Sequence, residues 1–144
     1  MLFRSLKIFV KGDTELYEEL LIPAKKLGAA FQKVNFLRDI KNDTELLNRK
    51  YFHDLVGKRF DESLKLKLIQ EIESDFRESV PGIRRLPGNS KLGVLIAYFY
   101  YRKLLNIIKK TPADMLLNKR VRVPDTTKLI LLLKAWFVNV LKLM

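Results

Sequence analysis

Leu64, Leu68, Ile72 and Phe76 recur every fourth residue, the period that lines apolar side chains along one face of a helix. No stretch of real length shows the alternation of a strand, and there are no repeats or low-complexity tracts. Proline, glycine and capping residues then divide the chain into about six helices. Gly12-Asp13-Thr14 precedes an acidic turn with Glu15, Glu18 and Glu19, suited to the positive end of a helix dipole. Pro23 fits the first turn of a second, longer helix from about Ala24 to Leu47. Asp61 opens a third helix, which Pro81-Gly82 is expected to stop, leaving IRRLPGNS as a loop. Ser90 is placed to cap a fourth helix to about Lys110, and Thr111-Pro112, with Asp114, to start a short fifth one. Val121 to Val123 reads as extended, and the last helix starts near Asp125. The class is all-α, and 144 residues make one domain.

The chain has no cysteine and one histidine. A disulfide scaffold, a thiolate metal site and a thiol nucleophile are therefore excluded, and a Ser/His/Asp triad is disfavoured. Lack of cysteine fits a reducing compartment, so the expected location is cytoplasmic. Lys and Arg number 28 against 16 Asp and Glu, a formal charge of +12, which suits an anionic membrane surface, nucleic acid or a polyanionic small substrate. No signal peptide is evident at the start, where Arg4, Lys7 and Lys11 break the apolar runs. The apolar stretch Leu129–Met144 is interrupted by Lys134, Asn139 and Lys142. It reads as a core helix, with a helix lying in a membrane interface as the alternative.

The helix around residues 27–43 carries the chemical information. At 100° per residue, Gln32, Asn35, Asp39 and Asp43 share a strip about 80° wide and some three turns long. Leu27, Ala30, Phe31, Val34 and Leu37 take the opposite side. Apolar Ala29, Phe36 and Ile40 border the strip, which holds amides and short carboxylates in place of the long Lys and Glu of a solvated face. Asp39 and Asp43 lie one turn apart, at about 5–6 Å between Cβ atoms. They repel unless a cation sits between them. Hard oxygens of this kind suit Mg2+, which commonly shares its shell with substrate phosphates.

Leu27 to Asp43, LGAAFQKVNFLRDIKND, resembles the second aspartate-rich motif of the squalene/phytoene synthase family, approximately L-G-x-A-x-Q-x-x-N-x-L-R-D-x-x-x-D. Leu27, Gly28, Ala30, Gln32, Asn35, Leu37, Arg38, Asp39 and Asp43 all match. The family continues G-R-x-Y-(L/F)-P; here Arg49, Tyr51 and Phe52 fit, while Asn48 and His53 replace the Gly and Pro. GIRRLPGNSKLGVLIAYFYYRKLL resembles a late family helix, with Tyr101-Arg102 as its Tyr-Arg pair. Lys119-Arg120-Val121 resembles the basic segment before the final helix. The Tyr-Phe and Tyr-Arg contexts are closest to the bacterial phytoene enzymes.

The resemblance implies a partial isoprenoid-synthase-type helical bundle and head-to-head condensation of two prenyl diphosphates by Mg2+-assisted diphosphate ionisation. It implies that Asn35 and Asp39 bind one Mg2+ and Asp43 another, with Asp39 and Asp43 as the catalytic pair, and that Gln32 orients diphosphate or its water shell. Arg38 reaches phosphate or pairs with a neighbouring helix. Tyr101 and Arg120 contact diphosphate from the far wall, or else serve as a core aromatic and a solvated basic residue. NADPH is implied only for squalene-type chemistry, since the phytoene type ends by proton loss. Family enzymes carry two facing aspartate-rich motifs, and the residues before Asp39 supply no second one. The chain therefore resembles the C-terminal half, as a fragment or beside a partner chain that provides the other half.

The rival reading is a non-catalytic basic helical module for an anionic membrane surface or nucleic acid. Lys25, Lys26, Lys33, Lys109, Lys110, Lys119, Arg120 and Arg122 supply the charge. They are spread over several helices without a nucleic-acid-binding signature, so nucleic acid is not expected, and peripheral membrane association is compatible with either reading.

Overall fold

A computed structural model of the protein describes residues 2–40 and 60–143. Among them are six helices and no strand: α1 (Leu2–Phe9), α2 (Thr14–Asp39), α3 (Glu62–Arg85), α4 (Gly88–Lys110), α5 (Ala113–Asn118) and α6 (Asp125–Val140). The all-α architecture is the expected one. Asp13 and Asp61 cap α2 and α3, accepting from the backbone N–H of Leu16 at 3.0 Å and of Leu64 at 2.8 Å. Each fills one of the orphan donors of a helix N-terminus. Between α1 and α2, Lys11 and Gly12 both have positive φ, at 52° and 86°, and glycine meets that demand without strain.

Two expected boundaries are absent. Pro23 lies inside α2, and Pro81-Gly82 lies inside α3. An internal proline forfeits a backbone hydrogen bond, at about 3 kcal/mol, so packing must offset the loss. The long antiparallel contact between α2 and α3 supplies that packing. A Cβ at Gly82 would collide with Pro23 Cβ and lie 3.0 Å from its Cγ. The glycine is thus a notch for the proline ring of the other helix, and it terminates nothing. α3 ends instead at Leu86, whose N–H reaches Ile83 O at 3.3 Å, one residue before Pro87. The expected limit of α2 near Leu47 lies outside the described residues.

Two caps also differ from expectation. α4 begins at Gly88, ahead of Ser90, and the Ser90 hydroxyl donates across to Phe9 O at 3.4 Å. α5 has no side-chain cap of its own. Glu62, in the first turn of α3, accepts from Ala113 N at 3.0 Å, and the fully buried Lys65 donates to Thr111 O at 2.7 Å. The start of α3 therefore fixes the start of α5.

The main core is built from the inner faces of α2, α3 and α4, with Val34, Leu37, Ile72, Phe76, Leu95 and Leu104 fully enclosed. Asp75, also buried, takes Lys33 at 2.7 Å and Lys26 at 3.4 Å from α2. This pairing satisfies the buried acid of α3 at that crossing, beside the more exposed pairs of Lys26 with Glu78 and Lys33 with Glu71. α6 departs from the core-helix reading. Ala135 is its buried residue, while Leu129 is 61% and Trp136 50% exposed. Leu132, Leu133, Phe137 and Val140 are exposed beside them. Among the described residues no helix is long and apolar enough to cross a membrane.

Candidate active site

The last two turns of α2 hold the polar strip at the edge of the core. Leu27, Ala30, Phe31, Val34 and Leu37 are buried, which turns the strip's axis toward α4 and the segment after α5. Gln32 is exposed. Asn35 and Asp39, one turn apart, are half-buried. Asp43, like Arg49, Tyr51, Phe52 and His53, lies outside the described residues.

Asn35 meets Tyr101 of α4 across a sequence gap of 66 residues, its Nδ2 donating to Tyr101 Oη at 3.0 Å. The tyrosine ring stacks on Phe31 with centroids 4.2 Å apart and planes 19° from parallel, and Tyr100 meets its edge at 5.4 Å. Tyr101 is thus part of the aromatic cluster and also a polar contact of the strip. The other end of the amide, Asn35 Oδ1, is buried and has no hydrogen-bond partner among the described residues. Burying an acceptor unmatched costs about 1–3 kcal/mol.

Asp39 is held by two guanidiniums. Arg38 donates from Nε at 3.2 Å and from a terminal nitrogen at 2.7 Å, a bidentate fork. Arg120, from the segment between α5 and α6, pairs through Nε at 2.7 Å. The Arg38 fork is the main cause that holds the Asp39 carboxyl below its usual range, with partial burial opposing and Arg120 assisting. The same bond pushes Arg38 further up. Asp39 is therefore a carboxylate throughout the neutral range. Among the described residues the ion-pair partner of Arg38 is its own neighbour in sequence, and no pair to another helix is found.

Beyond the aspartate, Arg38 and Arg120 open onto a cleft of about 530 Å³ shared with Tyr100, Arg122, Pro124, Asp125 and Lys128. Lys128 is tied to Asp125 at 2.7 Å. Four cationic side chains thus line a cleft whose own wall bears one acid. Tyr100, Arg122 and Lys128 were not singled out as site residues from the sequence. The signal for two of them was the KRVRVPDTTK run, in which Pro124 sets where α6 begins.

The donor set fits a hard divalent cation. An orphaned amide oxygen stands one helical turn from an ionised carboxylate, and both are oxygen ligands of the kind Mg2+ takes in ones and twos beside substrate phosphate. Among the described residues no three carboxylate or imidazole groups converge, so these residues would supply part of a coordination shell.

The family model for squalene/phytoene synthase matches residues 5–127. No curated protein and no solved structure matches the chain.

Proposed function

The chain belongs to the squalene/phytoene synthase family, whose members join prenyl diphosphates head to head, and we propose that its α2 strip and Arg120 cleft form the diphosphate-handling wall of such a Mg2+-dependent prenyltransferase, of phytoene type. The observation that carries the reading is the buried, unpartnered Asn35 Oδ1 one turn from the ionised Asp39. Asn35 and Asp39 would hold a Mg2+, with Asp43 continuing the strip. A bound Mg2+ supplies positive charge to a departing diphosphate and so favours ionisation of the allylic C–O bond.

The protein's own groups have the complementary tasks. Asp39 spends its charge on Arg38 and Arg120 when no metal competes for it. Arg120 is nearly half exposed, so it is the partner free to leave. A cation on Asp39 would release that guanidinium toward the cleft, where Arg122 and Lys128 already favour an anion. Metal and diphosphate are then expected to bind together, each clearing the way for the other. Tyr100 and the aromatic cluster behind Tyr101 present low-polarity walls, which strengthen these charge interactions. Gln32, one turn earlier and exposed, is positioned to meet diphosphate or its water shell. No protein nucleophile is needed for this chemistry, so the absence of cysteine is no obstacle.

Phytoene-type termination, by proton loss without NADPH, is supported by the Tyr51-Phe52 and Tyr101-Arg102 contexts; a squalene-type reaction would add NADPH. The facing aspartate-rich wall would come from elsewhere in a longer chain or from a partner. The apolar outer face of α6, edged by Lys128 and Lys134, suits peripheral contact with an anionic membrane in the cytoplasm. A thermal melt with Mg2+ and a non-hydrolysable farnesyl diphosphate analogue tests the reading. The melting temperature should rise when both are present and stay unmoved in Asp39→Asn. An equal rise in the variant, or a rise without Mg2+, would contradict the proposal and favour a basic helical module.

A further inference from the structure

The Asn35 side chain can face the strip in two ways, and only one of them offers an oxygen. With Nδ2 donating to Tyr101 Oη, Oδ1 is turned away from the tyrosine and left without a donor. Rotating the amide by half a turn would put Oδ1 on the hydroxyl and present N–H groups to the strip, which repel a cation. A phenol has one proton and can also accept, so its choice of role sets the choice of amide face. The hydroxyl itself has little freedom. Its ring is clamped between Phe31, at 4.2 Å, and the edge contact of Tyr100, so Oη keeps its place relative to α2. When Oη accepts from Asn35, its own proton is left to donate to an anion, and accepting strengthens that donation.

We propose that Tyr101 is a positioning residue: by accepting the Asn35 Nδ2–H it fixes Asn35 Oδ1 as an oxygen ligand for a divalent cation. The inference rests on the reading of Asn35 as a metal ligand and adds to it the group that orients the amide. Outer groups that orient a ligand commonly change metal affinity by about 10–100-fold, and a tyrosine serving as core filler alone would change it little.

The test is the affinity for Mn2+ alone, standing in for Mg2+, read from the free Mn2+ electron paramagnetic resonance signal. The unmutated chain, Tyr101→Phe, Asn35→Ala and the double variant are compared. Phenylalanine keeps the stack on Phe31, and the helical circular-dichroism melt checks that it does. Tyr101→Phe should weaken Mn2+ binding about 10-fold or more, and should have no further effect in the Asn35→Ala background. An affinity within about twofold of the unmutated chain overturns the proposal alone. An equal loss in both backgrounds also overturns it, because the hydroxyl would then act without Asn35. Absence of Mn2+ binding by the unmutated chain overturns the metal reading of Asn35 together with it.

Discussion

Replacing Gly82 by alanine adds one methyl group at the tightest point between α2 and α3. The new Cβ would overlap Pro23 Cβ and stand 3.0 Å from its Cγ, with Leu20 Cδ2 at 3.6 Å. A proline ring cannot rotate aside, so the two helices must separate or bend. Overpacking of this kind costs about 1–3 kcal/mol, and the rigid neighbour places Gly82→Ala in the upper half of that span. Alanine returns about 1 kcal/mol in helix propensity over glycine. The net expectation is a loss of about 1–2 kcal/mol, or a melting temperature lower by roughly 3–8 °C in a chain of this size. A circular-dichroism melt reads it. Pro23→Gly supplies the decisive control, because moving the notch to α2 should remove most of the Gly82→Ala penalty, a non-additivity expected for residues in contact. A Gly82→Ala chain that melts higher than the unmutated one would refute the notch and leave the two internal prolines without compensation.

Three further outcomes follow from the same geometry. Lys65→Ala should lower stability by about 1–3 kcal/mol, since it frees the buried bond to Thr111 O, and chemical-denaturant melts should show it. The Arg38 fork holds the Asp39 carboxyl below its usual range in the folded chain, so its contribution is full above the unfolded value and is lost as pH falls through the folded one. The stability difference between the unmutated chain and Asp39→Asn should therefore stay level from neutral pH to about 5 and shrink in stronger acid. Arg120→Ala should weaken pyrophosphate binding about tenfold at 50 mM salt, and the difference should narrow as salt rises, because the guanidinium is partly exposed.

The helical class and the α2 strip were legible because they are local. The period of Leu64, Leu68, Ile72 and Phe76 needs no partner to be read, and neither do the Asp13 and Asp61 caps. Pro23 reads as a helix start because its meaning is set by a residue nearly sixty positions away: it is tolerated through Gly82, and Gly82 is glycine because of Pro23. The bond from Asn35 to Tyr101 has the same character, since both residues were visible and their pairing was not. Arg38 shows a different limit. Neighbours in a helix point about 100° apart, which argues against a contact with Asp39, yet the long guanidinium arm reaches the Asp39 carboxylate in the last turn of α2. The apolar run of α6 reads as core because hydrophobicity records what a helix can bury and says nothing of what is there to bury it.

Asn35 and Asp39 are proposed to act on a diphosphate through a shared cation, with Arg120 released from Asp39 to meet the anion directly. Calorimetric titration of inorganic pyrophosphate into the chain, with Mg2+ and then with a chelator, tests it most directly. Mg2+ should strengthen binding by about tenfold or more, and Asp39→Asn should lose this enhancement. Pyrophosphate binding of equal strength with chelator, or tighter in Asp39→Asn regardless of Mg2+, would show a basic cleft that takes anions without metal and would contradict the account.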